Sequence, residues 1–293
     1  MLDAAMAPEL FLRRIKEEFP EIAWNTYRHL THGWDHAVLI LDDALVFRAP
    51  KAPTSRSDVE NEAGLLRHLE RKLEVGIPRY IYQAADGSFG GYRLLPGREL
   101  DPGTFRKLSA EESETIKGQL AAFLTSMHET PKSVARRHQV PEVDAAKDYE
   151  DLVRNTEALV FPHLARRDML AIETFFAELA AELEQGRPTG LLHGDLSGEH
   201  ILWDAGKRQV NIIDFSDRML GDPAIDFAGL LAYGRGFAER VFEEYGGPTD
   251  ERMFQRARLC FKRIALETMV HSLQGYPCTF EEGYAEFEER FDK

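Results

Sequence analysis

The chain has 293 residues, of which 43% are hydrophobic and 29% charged, and its formal net charge is −14. That is an ordinary composition for a globular protein, with length enough for two lobes or two modest domains. The acidic balance argues against a nucleic-acid partner, because phosphate binding needs a basic surface; it suits a cationic small molecule drawn to acidic clefts, or solubility alone.

No apolar run approaches the ~18 residues that a membrane helix needs. The first residues lack the basic start and apolar core of a secretory leader. Instead Leu10, Phe11, Ile15 and Phe19 recur at helical spacing and predict an amphipathic first helix. Cys260 and Cys278 stand apart, with no C-x-x-C pair, so the expectation is a cytoplasmic protein with free thiols.

Short β-rich runs follow, with turn residues between them: 27–32, then 36–41, the turn Asp42-Asp43, and 44–49. They read as antiparallel strands. Gly33 lies in the first connection, where a loop either lies over phosphates and offers backbone N–H groups or simply turns the chain. Residues 57–75 predict a helix, with Ala63, Leu65, Leu66, Leu69 and Leu73 as its apolar stripe. Two more strands, 78–82 and 91–95, flank the turn Asp86-Gly87-Ser88. Pro96-Gly97 then breaks the pattern, and helices dominate the rest. The division expected is 1–95 as one lobe and 96–293 as the other, with a hinge near 94–98.

Ser109-Ala-Glu-Glu112 is a capping box at the head of a helix running to Glu129, with Ile116, Leu120, Phe123, Leu124 and Met127 buried. His128, at its end, reads as structural. Residues 131–141 read as a basic connection. Further helices are expected over 145–159, 168–185 and 251–273, with an acidic final segment from Glu281. There is no internal repeat.

The chemistry concentrates between Leu191 and Asp226. Apolar runs at 190–192, 201–203 and 210–213 bracket His193, Asp195, Ser197, Glu199 and His200, and deliver Asp214. The spacing H-x-D, a ligand-type residue five positions after the Asp, and a second Asp-Phe 19 positions after it match the catalytic arrangement of protein kinases. In that reading Asp195 orients an acceptor hydroxyl and takes its proton, and His193 holds the loop by hydrogen bonds. His200 and Asp214 hold Mg²⁺, an imidazole standing where the usual ligand is Asn. Asp222 caps the helix that starts at Pro223, and Asp226 braces the catalytic loop. Arg48 is the cation for the nucleotide phosphates and Glu62 its helix partner. The base lies against backbone groups of Leu94, Leu95 and Pro96.

Taken together, HGDLSGEHILWD, IIDFSD and GDPAIDF resemble the signature of the aminoglycoside phosphotransferases, and GWDHAVLILDDALVFRAP resembles their first strands. His200, together with the long helical C-terminal region, resembles the branch acting on the 2″-hydroxyl. The resemblance implies an α+β, bilobal protein-kinase-like fold: a small five-stranded antiparallel N-lobe with one main helix, and a larger, mainly helical C-lobe. It implies transfer of the γ-phosphate of ATP or GTP to an antibiotic hydroxyl, by a monomer or dimer. Arg48 falls where many members have Lys; it keeps the charge and grips two oxygens.

The acceptor region is less explicit. Leu230–Gly236 carries no acid where the 2″-type enzymes tend to carry several, and Arg235 is added. Ser197, Glu199, Glu267 and His271 are the candidate substrate contacts. Two alternatives stay open: a kinase for a macrolide, a peptide antibiotic or a metabolite alcohol, and a catalytically silent binding protein.

Overall fold

The computed structural model describes residues 7–30, 36–51 and 58–291. Helix α1 (Pro8–Glu18) precedes strands β1 (Tyr27–Leu30), β2 (His36–Leu41) and β3 (Leu45–Pro50); helix α2 (Asp58–Leu69) follows, then β4 (Tyr80–Gln83) and β5 (Gly90–Arg93). The five strands form one antiparallel sheet in the order β1-β2-β3-β5-β4. Asp42 and Asp43 both have φ of 49°, the left-handed pair at the centre of the tight turn that Ala44 N–H closes on Leu41 O at 2.9 Å. The Asp42 carboxylate accepts from the backbone N–H of Thr26 and of Asn25 and so also fixes the entry to β1.

Alternation along the strands sorts the two faces. Leu39, Leu41, Phe47 and Ala49 pack against Phe11 and Ile15 of α1. Ile40, Val46 and Tyr92 lie on the other face. By the same period Arg48, two residues after Val46, falls on that second face, towards α2. There it is 3% exposed.

The remainder contains β6 (Arg98–Glu99), α3 (Pro102–Phe105), α4 (Ala110–His128), α5 (Lys132–Arg137), α6 (Ala145–Asn155) and α7 (Arg166–Leu183). Beyond them come β7 (Gly190–Leu192), β8 (Ile201–Asp204), β9 (Gln209–Ile212), β10 (Met219–Gly221), α8 (Ala224–Ala228), α9 (Arg235–Glu244), α10 (Met253–Leu273) and α11 (Phe280–Phe291). Two small sheets, β6-β8-β9 and β7-β10, carry the chemistry-bearing loops. Helix α4 lies beneath them. Its predicted stripe is buried in the largest core cluster with Leu191, Ile201, Val210 and Phe215, and its capping box is formed. A second cluster joins α7, α10 and α11 through Phe175, Leu266 and Phe287.

Gly76 is one of the points that join the two regions. Gly76 N–H donates to Val210 O at 3.1 Å, and Ile212 N–H donates to Gly76 O at 2.8 Å. Between those residues Asn211 donates its side-chain amide to Pro96 O at 2.8 Å. A Cβ on Gly76 would lie 1.9 Å from Asn211 Oδ1, so only glycine allows this approach.

Two expectations change. The helix expected to reach residue 75 ends at Leu69. The basic connection 131–141 contains the six-residue helix α5, because Val134 and Ala135 are buried against the core. Gly33 lies outside the described residues.

Candidate active site

Strand β7 ends at Leu192 and delivers His193, Gly194 and Asp195. Their backbone is held by one carboxylate: Asp226 accepts from His193 N–H at 2.8 Å through Oδ2 and from Gly194 N–H at 2.8 Å through Oδ1. Asp226 is 1% exposed and also lies 3.0 Å from His128 Nε2; His128 Nδ1 is 2.8 Å from the Tyr245 hydroxyl. Burial would push the Asp226 carboxyl up, but the His128 bond and the charges and N–H groups around it hold it below the ordinary value. Gly194 has φ of +90°, and a Cβ there would sit 2.0 Å from Asp217 O. Only glycine makes this turn without displacing the loop.

His193 is wholly buried, and burial lowers its pKa. Its Nε2 is 3.0 Å from Ile213 O, so Nε2 carries the proton. That leaves Nδ1 as acceptor towards Asp195 N–H at 3.4 Å. The ring also packs at a tilt against Phe215, with centroids 4.7 Å apart. His193 therefore ties the catalytic loop to the strand that carries Asp214. The Asp195 side chain, in contrast, is 50% exposed and open to an incoming group.

His200 turns back over this loop. Its Nδ1 is 2.9 Å from Asp195 O, and a carbonyl only accepts, so Nδ1 is the protonated nitrogen. The Nε2 lone pair is then directed outwards, 3.8 Å from Asp214 Oδ2. This is how a ligand histidine is set: a hydrogen bond at one nitrogen fixes the tautomer and frees the other. Asp214 has φ of 61°, a costly conformation for a non-glycine residue. It is held by Ile213 N–H to His200 O on one side and by Ser216 Oγ and N–H to its Oδ1 on the other.

Arg48 closes the site from the β-sheet side. It donates through Nη2 to Asp214 Oδ1 at 2.6 Å and to Ser216 Oγ at 2.6 Å. Its Nη1 is 3.4 Å from Glu62 Oε1. Burial would raise the Asp214 carboxyl; Arg48, His200 and the Ser216 hydroxyl outweigh it and hold the group well below the usual carboxylate range. His36 Nδ1 is 3.3 Å from Arg48, and burial together with that guanidinium lowers its pKa to about 3, so the imidazole is neutral. Glu62 is shared: Tyr80 donates to Oε1 at 2.9 Å, and Arg218 Nη1 lies 3.5 Å from Oε2. Arg218, 3% exposed, also donates to Phe215 O at 3.0 Å.

The structure thus brings Arg48, Glu62, His193, Asp195, His200, Asp214 and Asp226 together. Asp222 lies elsewhere: it accepts from Ala224 N–H at 3.0 Å, as a cap should, and otherwise pairs with the buried Arg256. It ties α10 to the start of α8, and Asp226 makes the contacts to the catalytic loop. Ser197 Oγ is 3.4 Å from His200 Nδ1, and Glu199 is exposed. Glu267 pairs with Arg263 at 2.7 Å. Glu267 and His271 line a pocket of about 140 Å³ whose other wall is Asp148, Asp151 and Asn155 of α6. The Leu94 N–H is taken by Ala44 O. His36, Ser216 and Arg218 were missed from sequence. Arg218 had a weak signal, a second cation four residues after a ligand-type Asp.

Among the described residues no three His, Cys, Asp or Glu side chains converge as a metal site. His200 Nε2 and Asp214 Oδ2 supply two donors. That fits Mg²⁺, which keeps several waters and takes phosphate oxygens for the rest.

An antiparallel sheet with a buried cation–carboxylate pair, facing a braced H-x-D loop and a strained Asp, defines the kinase-like phosphotransferase fold. The model of the phosphotransferase enzyme family matches residues 26–259, and the chain belongs to that family. It is 26% identical over 182 residues to the viomycin phosphotransferase of Streptomyces vinaceus, a match spanning 61% of each chain. It superposes on the GDP complex of an aminoglycoside 2′-phosphotransferase-IIIa with a TM-score of 0.87 at 24% identity, covering 98% of this chain and 99% of that one. The GDP and kanamycin complex of APH(2″)-IIIa gives a TM-score of 0.85 at 26% identity, covering 96% and 97%.

Proposed function

We propose that the chain is an antibiotic kinase that transfers the γ-phosphate of ATP or GTP to a hydroxyl of an aminoglycoside. The observation that carries this is the juxtaposition of a half-exposed Asp195 with the His200 Nε2–Asp214 Oδ2 pair on one braced loop system. The similarity to a kanamycin complex at 26% identity over nearly the whole chain supports the acceptor class. So does the pocket lined by Asp148, Asp151 and Glu267 against the single Arg263, a balance to which an amine-rich sugar is complementary.

In this reading Asp195 accepts a hydrogen bond from the acceptor hydroxyl, aligns its oxygen, and takes the proton as the oxygen–phosphorus bond forms. His193 and Asp226 keep the loop from moving while that happens. His200 and Asp214 hold Mg²⁺, which neutralises charge on the phosphates when bound. Arg48 leaves Asp214 for the phosphates and stays anchored to Glu62; Arg218 keeps Glu62 neutralised throughout. The base lies against Leu94–Pro96. Pro96 O is engaged by Asn211 and Leu94 N–H by Ala44, so the Leu95 backbone offers the base its hydrogen bonds. Gly33 belongs to the loop over the phosphates. The two lobes divide near 94–98, and the protein works in the cytoplasm as a monomer or dimer. Ser197 and Glu199, from the loop, and Glu267 and His271, from α10, face the acceptor.

A second reading, a peptide-antibiotic kinase, is favoured by the viomycin phosphotransferase relative and by the lack of acids in Leu230–Gly236, where Arg235 pairs instead with Glu239 at 2.6 Å. A coupled assay of the purified chain, with ATP and GTP against kanamycin, viomycin and a macrolide, tests both. Turnover with kanamycin is the expected result. Turnover with viomycin alone selects the second reading, and no turnover with any acceptor together with no Mg²⁺-dependent nucleotide binding overturns both.

A further inference from the structure

A cavity of about 390 Å³ lies away from the loop that carries Asp195. It lies between α6, α7, α8 and α10, against the Gly190–Gly221 end of the β7–β10 ladder. Asp195 lies beyond the opposite end of β7. At ~3.3 Å per strand residue, the cavity is roughly 10 Å or more from it. The short helix α8 separates the two: Ile225 lines the cavity and Asp226 holds the catalytic loop.

The volume is in the range of small-molecule sites, which combine apolar walls with a few placed polar groups. Leu179, Ile225 and Leu259 supply the apolar wall. The placed polar group is Glu182, which lines the cavity and is 2% exposed. Its Oε1 accepts from Arg252. Its Oε2 is buried with no hydrogen-bond partner among the described residues. A buried carboxylate oxygen without a partner is costly, so the position asks for a donor. The charge around it asks for a cation. The lining is acidic on balance: four carboxylates, Glu142, Asp144, Glu182 and Asp222, against three arginines, Arg187, Arg256 and Arg263.

We infer that this cavity is a second ligand site, distinct from the phosphotransfer site, which takes a small organic ammonium compound: the N–H⁺ group on Glu182 Oε2 and an apolar body against Leu179, Ile225 and Leu259.

The test uses the full chain carrying Cys278→Ser, which leaves Cys260 as its one thiol. Cys260 lines the cavity and is part-exposed; burial pushes its thiol up to about 12, so alkylation is slow, and its extent after long exposure to a small thiol reagent at fixed alkaline pH, read by mass spectrometry with and without the probe, reports occupancy. The probe is 2-phenylethylammonium chloride, compared with neutral 2-phenylethanol by calorimetric titration. The cation is expected to bind at least about tenfold more tightly than the alcohol, in line with a hydrogen bond to a charged group, and to slow alkylation of Cys260. Glu182→Gln turns an acceptor into a donor and should weaken the cation by at least about tenfold. Ala146→Trp, on an exposed position of α6 that lines the cavity, fills it and should abolish both binding and protection, and it serves if the Gln variant does not fold. Equal affinity for cation and alcohol overturns the role of Glu182. Binding without protection of Cys260, or no binding at all, overturns the site.

Discussion

Asp226→Asn isolates the bracing of the catalytic loop. The carboxylate accepts two backbone N–H bonds at 2.8 Å, one on each oxygen, and lies 3.0 Å from His128 Nε2. Asn has the same shape but one acceptor oxygen, so one of the two N–H groups faces an NH₂. The lost charge-assisted bond is worth ~1.5–3 kcal/mol and the orphaned N–H ~1–3 kcal/mol. The two overlap, and the net cost is about 3 kcal/mol. For 293 residues, at ~2.1 cal/mol/K of unfolding entropy per residue, this lowers Tm by about 5 °C. Scanning calorimetry measures it.

The pH dependence carries a sign. Asp226 has a folded pKa below its unfolded one, so its stabilisation is complete above the unfolded value near ~3.9 and is lost as pH falls through the folded value. The gap in Tm between wild type and D226N should therefore be constant at neutral pH and close below about pH 4. A Tm within a degree of wild type at pH 7, or a gap that widens on acidification, would refute the reasoning.

Three further outcomes follow from the site. Gly194→Ala, at φ of +90° with Asp217 O 2.0 Å from the new Cβ, should displace Asp195 and cut kcat by about 10²-fold or more, measured by steady-state kinetics. His200→Ala should raise the Mg²⁺ concentration needed for half-maximal nucleotide binding by roughly 10-fold or more, followed by magnesium titration; an unchanged requirement would remove His200 from the ligand set. Arg256→Met should cost about 1–3 kcal/mol, because it leaves the part-buried Asp222 without its cation, and a urea melt should show it as a lower midpoint.

The sequence made visible whatever carried a period or a motif spacing. Alternating strands, the Ser109–Glu112 capping box and the H-x-D-to-Asp214 spacing each repeat a physical rule along the chain; the sheet and helix α4 formed where those rules put them, and His200 and Asp214 lie 3.8 Å apart. The pair of Arg48 with Glu62 was readable because a strand cation and a helix acid are a known partnership. What escaped were contacts between residues far apart in sequence that follow no local rule. His36 and Ser216 meet Arg48 across the sheet–loop boundary, Arg218 reaches Glu62 from the far side of the catalytic segment, and Asn211 meets Gly76 and Pro96. Helix α5 was hidden by its basic residues and flanking prolines; two buried side chains, Val134 and Ala135, decide it.

In the proposed reaction Asp195 is the group that receives the acceptor's proton. The direct measurement is the phosphoryl-transfer rate of Asp195→Asn at saturating Mg²⁺-nucleotide and acceptor, alongside a nucleotide titration of the same variant. A fall of about 10²–10⁴-fold with nucleotide affinity unchanged is the predicted result; near-normal turnover in the folded variant would contradict it.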